Sequence, residues 1–265
     1  MPELPEVETV RRLMRRELQN QKIVGVQMDA DDIVHSGYPP EAFVAGLVGA
    51  TVLEVGRKGK YWWLELDRKP WLYGHLGMTG WIHRLTAGEP IPRFCKIVIE
   101  SEHGGLIAMT DGRRLGRLWL GGSPESEPRL QKLGFDSFDE LPSTQALFET
   151  FRTRKAPIKA LLLDQALFAG VGNYVADEAM YQARIAPQRL ANSLDVEEVE
   201  RLRGALTEIL TSAIEADADE TRFPKDWLFH HRWGGKRGSE SIAGHAIVRE
   251  TIGGRTTAWV PDLQR

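Results

Sequence analysis

The chain has 265 residues, of which 42% are hydrophobic and 27% are charged, and its formal net charge is −3. This length is enough for one large core or two smaller ones. Its single cysteine, Cys95, excludes an internal disulfide and a zinc site made of cysteines. Because no apolar run is long enough to cross a bilayer and no signal peptide is visible, we expect a cytoplasmic protein with no membrane partner.

The small net charge conceals an uneven distribution of charged residues. Acidic residues dominate 195–220, whereas four short stretches are basic: 56–60, 111–117, 151–159 and 230–237. A single basic cluster is usually solvated surface. Four such clusters beside Gly and Trp favour a face that binds nucleic acid.

The first predicted element is an amphipathic helix that begins near Pro5, a residue suited to a first helical turn. Apolar side chains recur along it at spacings of three and four residues: Val7, Val10, Met14 and Leu18. Short apolar or alternating runs separated by Gly and Pro follow over 22–121, and they predict the strands of a sandwich or barrel. The loop-like stretch 121–128 is a candidate domain boundary.

Beyond that boundary the apolar periodicity becomes helical. Helices are predicted over four stretches: 142–154, 156–168, 173–186 and 194–214. Asn173 is a candidate N-cap, and Asp195 and Glu198 have capping-box spacing at the start of the last helix. The Gly-rich tail from about Trp227 contains two short strand candidates, which most simply form a hairpin.

The opening segment MPELPEVETV contains groups able to do covalent chemistry. Removal of Met1, expected because the next residue is small, would make Pro2 a terminal secondary amine. Terminal amines titrate near pH ~8, so a good fraction is unprotonated at neutral pH and can attack a sugar carbon. Glu3 could then act as general acid and base, with Glu6 one turn away to tune it. The alternative is that Pro2 and Pro5 only stiffen the helix entry.

This segment also resembles the N-terminus of the formamidopyrimidine-DNA glycosylase and endonuclease VIII family, base-excision enzymes whose terminal proline is the nucleophile. Further motifs of that family follow in order: GRKGKYW, GHLGMTG, DGRRLG, PIKALLLDQALFAGVGNYVADEAMYQARIAP and GGRTTAWVPDLQ. The long motif is similar to the family's helix-two-turn-helix, and the last looks like the end of its C-terminal finger. The resemblance covers nearly the whole chain.

The resemblance implies a catalytic group and a set of intercalating residues. The implied catalytic residues are Pro2, Glu3, Glu6 and Lys60. Met78 would enter the DNA from a hairpin, Arg113 would face the orphaned base, and Leu115 would be a further apolar wedge. From the residues alone, Met78 and Leu115 could equally belong to the core, although flanking glycines favour exposed loops.

The resemblance also implies contacts to the phosphates that flank a flipped nucleotide. The DNA-binding positions are Lys159, Gly172, Asn173 and Arg255. Without the resemblance, a plain helix cap is the simpler interpretation of Asn173.

The predicted finger departs from the family pattern. Many relatives have a zinc site with two CxxC pairs, but the aligned positions here are Glu240, Ala243, Val260 and Leu263. A structural zinc site needs Cys or His at each of its four ligand positions. The nearby histidines do not complete such a set: His230, His231 and His245. We therefore predict a zincless finger, with no metal and no organic cofactor. Its hairpin would be held by apolar side chains: Ile247, Ile252, Trp259 and Val260.

Two departures concern the lesion. Leu115 replaces the phenylalanine usual in relatives specific for oxidised purines, and the stretch 215–238 is short where those relatives have a longer loop that closes over 8-oxoguanine. Formamidopyrimidines and hydantoins are therefore expected to be better substrates than 8-oxoguanine itself.

The predicted fold class is α+β, with an N-terminal β-sandwich flanked by helices, a helix-two-turn-helix domain and a zincless hairpin finger. Its predicted segments are a catalytic domain, a linker, the helical domain and the finger, over 1–123, 124–141, 142–226 and 227–265.

The predicted function is that of a bifunctional DNA glycosylase and AP lyase of base-excision repair in the bacterial cytoplasm. It would act as a monomer on double-stranded DNA with oxidised bases or abasic sites, by β,δ-elimination. One alternative is a preference for oxidised pyrimidines, as in endonuclease VIII. Another is a non-catalytic protein that binds damaged DNA, which would not need Pro2, Glu3 and Lys60 together.

Overall fold

The computed structural model describes residues 2–234 and 240–265. The chain divides into two compact units, Met1–Lys132 and Leu133–Arg265. Helices and mainly antiparallel sheets form both units, which confirms the predicted α+β class. The finer division into four segments stays a prediction. Within the described ranges, no helix is both long and apolar enough to span a membrane.

The first unit contains eight strands in two antiparallel sheets. The strands are β1 (Ile23–Gln27), β2 (Val52–Lys58), β3 (Tyr61–Leu66), β4 (Trp71–His75), β5 (Trp81–Arg84), β6 (Cys95–Ser101), β7 (Leu106–Thr110) and β8 (Arg117–Gly121). Their order is β1-β6-β7-β5 in one sheet and β2-β3-β4-β8 in the other. The helices are α1 (Leu4–Leu18), α2 (Pro40–Leu47) and α3 (Pro128–Gln131).

One apolar core joins the two sheets and the first two helices. The four periodic residues of α1 are all buried in it, as the spacing predicts: Val7, Val10, Met14 and Leu18. Ile97 and Met109 enter the same core from one sheet, and Leu64 and Leu118 enter it from the other. A core shared by two antiparallel sheets is a β-sandwich, as predicted.

The connection that carries the motif GHLGMTG corrects one expectation. The resemblance describes it as a hairpin, but β4 pairs with β3 and β8, whereas β5 pairs with β7. The turn therefore crosses from one sheet to the other. The alternation of apolar residues is the same in both cases, so the sequence does not distinguish them.

The second unit contains four helices and three short strand pairs among its described residues. The helices are α4 (Thr144–Arg152), α5 (Ile158–Leu163), α6 (Asn173–Ala183) and α7 (Val196–Glu215). The strands are β9 (Phe135–Asp136), β10 (Phe168–Ala169), β11 (Ser241–Ile242), β12 (His245–Ala246), β13 (Val248–Ile252) and β14 (Arg255–Trp259). β9 and β10 pair in parallel, and the other two pairs are hairpins.

The starts of two helices in this unit can be compared with the predicted caps. Asp195 and Glu198 form the predicted capping box of α7, with N–H to carboxylate distances of 2.8 and 3.0 Å. The start of α6 differs by one residue from expectation, because Gly172 is the N-cap and Asn173 is the first helical residue.

The described residues of the finger form two hairpins rather than one. Ile247 and Val260 lie in a buried apolar cluster with Tyr181 of α6, in line with the predicted packing. Trp259 is 9% exposed, and its Nε1–H donates to Glu250 at 2.7 Å. The basic stretch 230–237 extends into 235–239, which lies outside the described residues.

Two Gly→Ala variants should change stability in opposite directions. A Cβ at Gly74 would lie 2.1 Å from the ring of Trp62, which is 1% exposed, so Gly74→Ala overpacks the sandwich. Such overpacking destabilises by about 1–3 kcal/mol. Gly204 lies within α7 with nothing within 4 Å of its Cβ position, and Gly204→Ala should stabilise by about 0.5–1 kcal/mol. Chemical denaturation measures both effects, and a shift of the same sign for both variants would contradict this packing.

Candidate functional site

Pro2 and the two predicted carboxylates lie at the start of α1. Glu3 is the N-cap and forms a capping box with Glu6, in which the Glu3 N–H donates to Glu6 Oε2 at 2.8 Å. Glu3 is 2% exposed, and Pro2 immediately before it is half-buried. The expected removal of Met1 concerns a residue outside the described ranges. Pro2 and Glu3 are thus attached to a rigid helix start.

A buried ion pair joins α1 to strand β2. Glu8 Oε2 and Arg57 Nε are 3.0 Å apart, and the two side chains are 4% and 1% exposed. Arg11 and Arg12 also donate to the Glu8 carboxylate, at 2.8 and 2.9 Å. Burial raises the pKa of Glu8, but the hydrogen bonds and charges of these arginines, Arg11 first, outweigh it and lower the pKa to about 2. Glu8 is therefore ionised at neutral pH.

The same arginine holds the turn that carries Lys60. Arg57 Nη1 donates to the Gly59 carbonyl oxygen at 3.2 Å, and Lys60 follows Gly59 between β2 and β3. One guanidinium therefore contacts both the helix that begins beside Pro2 and the turn with Lys60. The structure thus brings these two predicted catalytic segments together.

The structure adds His75, which sequence reasoning does not single out although it lies in GHLGMTG. His75 pairs with Tyr61 across β3 and β4, and their ring centroids are 4.9 Å apart. Burial, and after it the positive charge of Lys60 and of two arginines, lowers the pKa of His75 to about 4. The ring is therefore neutral at pH 7. Its Nδ1 accepts the Gly77 N–H at 3.0 Å, which leaves the ring proton on Nε2.

The three predicted intercalating residues lie on two neighbouring turns. Met78, after β4, is 41% exposed, and Leu115, after β7, is 38% exposed. Arg113 is exposed on the same turn as Leu115. The alternative that Met78 and Leu115 are core residues is therefore wrong. The turns meet at Gly77, where φ is +64° and a Cβ would lie 2.4 Å from the Leu115 carbonyl carbon.

One buried carboxylate organises both turns. Asp111 is 1% exposed, and its two oxygens accept the Thr79 hydroxyl and the Gly116 N–H, each at 2.6 Å. It also accepts the Arg113 N–H at 3.2 Å. Burial raises the pKa of Asp111, but these hydrogen bonds outweigh it and the pKa is lowered. Asp111 therefore fixes the turn with Arg113 against the turn with Met78.

The structure also separates the two adjacent arginines of DGRRLG. Arg114 donates from Nη2 to Asp31 Oδ1 at 2.8 Å, and Lys96 approaches the same carboxylate at 2.9 Å. Arg114 is thus committed to a contact within the protein. The side chain of Arg113 is exposed to solvent.

The prediction that Lys159 binds a phosphate is wrong. Its side chain is 0% exposed, and Nζ donates to Asp177 Oδ1 at 2.5 Å and to the Asn173 carbonyl oxygen at 3.0 Å. A lysine enclosed in this way does not reach a phosphate. Its burial is not visible in the sequence, because lysine is rarely buried and its partner lies 18 residues away.

The other predicted DNA-binding residues lie together in the second unit. Gly172 and Asn173 form the start of α6, and Asn173 Nδ2 donates to the Thr256 carbonyl oxygen at 2.9 Å. Arg255, the residue before Thr256, is exposed at the start of β14. A helix N-terminus beside a guanidinium is suited to binding an anion.

The four positions aligned with zinc thiolates have other contacts or conformations. Val260 is fully buried, and Leu263 packs against the same apolar cluster. Glu240 pairs with Arg249 at 3.3 Å, and Ala243 has a φ of +50°. Among the residues that the structure describes, no group of three or more His, Cys, Asp and Glu could hold a metal ion.

Two family models match the chain. The formamidopyrimidine-DNA glycosylase N-terminal domain matches residues 1–118, and the formamidopyrimidine-DNA glycosylase H2TH domain matches residues 133–225. A formamidopyrimidine-DNA glycosylase of Arabidopsis thaliana is 37% identical over 278 aligned residues, which cover all of this chain and 71% of the plant protein. The protein of that name from Pelotomaculum thermopropionicum is 33% identical, with coverage of 100% and 99%.

Solved structures are similar over the same length. The Lactococcus lactis formamidopyrimidine-DNA glycosylase bound to DNA with an abasic site is 27% identical, with a TM-score of 0.84 and 99% coverage of both chains. MutM in complex with DNA that contains carbocyclic 8-oxoguanine gives the same identity and TM-score, 27% and 0.84, with both chains fully covered.

Replacing Glu8 by glutamine should destabilise the first unit and reduce its acid sensitivity. The folded-state pKa of Glu8 is lowered from 4.5 to about 2, so its stabilisation is present above pH 4.5 and is lost as pH falls toward 2. Glu8→Gln leaves Arg57 buried without its charge partner, a loss of about 3–5 kcal/mol. Denaturation at pH 7 and pH 3 measures both effects.

Glu149→Gln, which removes an exposed pair with Arg152, is the control and should change little. Equal stability of Glu8→Gln and wild type at pH 7 would disprove this role.

Chelation should leave the finger intact. The finger is packed by apolar side chains and ion pairs, so a chelator has no structural metal to remove from the aligned positions. Metal analysis and the melting temperature after prolonged EDTA treatment test this expectation. One tightly bound zinc per chain, with a melting temperature that falls on chelation and recovers with zinc, would refute it.

Proposed function

The chain belongs to the formamidopyrimidine-DNA glycosylase family, and we propose that it excises oxidised bases from double-stranded DNA through an iminium formed on Pro2. It is a DNA glycosylase and AP lyase of base-excision repair. The observation that carries the proposed chemistry is the buried junction in which Arg57 contacts both Glu8 of α1 and the turn of Lys60. This junction links the helix that begins beside Pro2 and Glu3 to the turn that carries Lys60.

The first chemical step joins Pro2 to the sugar of the damaged nucleotide. The nitrogen of Pro2 forms a bond to C1′ while the bond from C1′ to the base breaks; the base leaves with its bonding electrons and takes a proton from solvent, and the Glu3 carboxylate takes the N–H proton of Pro2. Opening of the ring breaks the C1′–O4′ bond, and O4′ takes a proton from Glu3. The product is an iminium that links Pro2 to the open sugar.

The iminium then serves as electron sink for two eliminations. Loss of a proton from C2′ to the Glu3 carboxylate expels the 3′ phosphate, and loss of a second proton, from C4′, then expels the 5′ phosphate. Hydrolysis releases the sugar fragment and restores the amine of Pro2. The DNA is left with a one-nucleotide gap. The reaction requires no oxidant, reductant or organic cofactor.

The exposed residues prepare the DNA for this attack. A base in a duplex must be flipped out before its glycosidic bond can be reached, at a cost of a few kcal/mol. Met78 and Leu115 supply apolar side chains to fill the vacated space, and Arg113 supplies donors for the orphaned base. Lys60, Asn173 and Arg255 hold the flanking phosphates.

The lesion class and the location are finer parts of the proposal. An aliphatic Leu115 and a short stretch 215–238 favour formamidopyrimidines and hydantoins over 8-oxoguanine, although 235–239 lies outside the described residues. A chromosomal DNA substrate implies action beside the chromosome, in the cytoplasm of a bacterial cell. The chain acts as a monomer and needs no metal in this scheme.

Borohydride should trap the intermediate on the N-terminal peptide. Reduction during reaction with duplexes that contain an abasic site or a formamidopyrimidine converts the iminium to a stable amine, and peptide mapping locates the cross-link. Protein with an acetylated N-terminus should give no cross-link. Glu3→Gln keeps the amine but should remove the base about 10²-fold or more slowly. A cross-link on an internal lysine, or full trapping by acetylated protein, would overturn the assignment of Pro2.

A further inference from the structure

Asp177 of α6 is the centre of a buried charge cluster in the second unit. Its carboxylate is bound by Lys159 Nζ on Oδ1 at 2.5 Å and by Arg232 Nη2 on Oδ2 at 2.7 Å. The backbone N–H of Ala258 in β14 also donates to Oδ2, at 3.2 Å. The side chains of Lys159, Asp177 and Arg232 are 0%, 1% and 7% exposed. One carboxylate therefore joins α5 and α6 to two parts of the finger, the segment at Arg232 and strand β14.

Stability alone does not account for such a cluster. Removing three charges from water is expensive, and apolar residues of similar volume often stabilise a protein as well or better. A buried carboxylate adds directional hydrogen bonds, because each oxygen accepts hydrogen bonds only at short distances and within restricted angles. The partners of Asp177 are thereby fixed relative to one another.

Two partners of Asp177 lead directly to the residues assigned to phosphate binding. Lys159 Nζ also donates to the carbonyl oxygen of Asn173, the first residue of α6. Asn173 in turn donates from Nδ2 to the carbonyl oxygen of Thr256. The finger strand is thus attached to α6 at Thr256 and at Ala258, and Arg255 immediately precedes these attachment points.

We propose that Asp177 is the positioning residue for the phosphate-binding pair Asn173 and Arg255. Through Lys159 it fixes the start of α6, and through Ala258 it fixes the strand from which Arg255 projects. Asp177 is itself buried and does not contact DNA. The proposal rests on one part of the proposed function, namely that Asn173 and Arg255 bind phosphates.

The test compares Asp177→Asn with a matched control in the same unit. Asp177→Asn keeps the shape of the side chain but removes its charge. Glu198→Gln removes an ion pair with Arg189, at 3.0 Å, that has no contact with Asn173 or β14. Affinity for an undamaged duplex is measured over a range of salt concentrations. Single-turnover cleavage of an abasic duplex is measured at saturating protein.

The expected result is a binding defect without a chemical defect. Asp177→Asn should bind DNA about tenfold or more weakly, the effect of one missing hydrogen bond to a charged group. Its slope of log affinity against log salt should fall by about one unit for each phosphate that the variant no longer neutralises. Cleavage at saturation should stay within a few-fold of wild type. Adding Arg255→Ala to Asp177→Asn should weaken binding little further, and Glu198→Gln should match wild type throughout.

Several outcomes would overturn the proposal. The first is that Asp177→Asn folds and binds DNA with the affinity and salt slope of wild type. The second is that the double variant of Asp177→Asn and Arg255→Ala loses affinity by the product of the two single-variant decreases. If Asp177→Asn does not fold, Lys159→Met decides instead, because it removes the contact from Asp177 to the start of α6 and leaves Asp177 paired with Arg232; wild-type binding by it would refute the proposal. Wild-type protein that neither binds nor cleaves lesion DNA would refute the proposed function as well. If wild type does both, a negative result concerns only the role of Asp177.

Discussion

The ion pair between Glu8 and Arg57 is the constraint on which the catalytic half of the molecule depends. The proposed nucleophile lies at the chain terminus, where it is held from one side only, and termini usually fray. Here the terminus is the first turn of a helix whose apolar face is buried in the sandwich core and whose Glu8 is bound by a buried arginine. The same arginine holds the turn of Lys60. Attack on a sugar carbon requires such fixed geometry, since misplacement by about 1 Å can cost 10²-fold in rate.

The same physical device recurs at two other places. Asp111 joins the turns of Met78 and Arg113, and Asp177 joins α6 to the finger. In each case a carboxylate that is almost fully buried accepts donors from segments distant in sequence. Apolar packing fills space but has little directional preference, whereas a carboxylate with several donors specifies angles as well as distances. The protein therefore uses apolar packing to form its cores and buried carboxylates to set the positions of functional residues.

This arrangement separates residues that position from the residues proposed to contact the substrate. Met78, Arg113 and Arg255 are exposed, and each lies on or next to a segment held by a buried carboxylate. Such residues can insert into DNA or reach a phosphate without losing the hydrogen bonds that place their backbone. His75 fits the same logic. Its neutral ring binds the Gly77 N–H and so connects the neighbourhood of Lys60 to the turn of Met78. These rigid contacts keep the exposed residues in place while a duplex is opened.

The sequence by itself determined the features that depend on neighbours within about one helical turn. The buried face of α1, the capping boxes at Glu3 and at Asp195, and the strand runs of the sandwich are all local patterns. The collinear motifs added the family and the proposed site residues. Tertiary structure decided what depends on distant partners. Lys159 is buried because Asp177 lies beside it, and the exposed Arg114 is held by an ion pair with Asp31, 83 residues away in sequence. The turn of Met78 crosses between sheets because β5 pairs with β7, a choice that alternation of apolar residues does not encode.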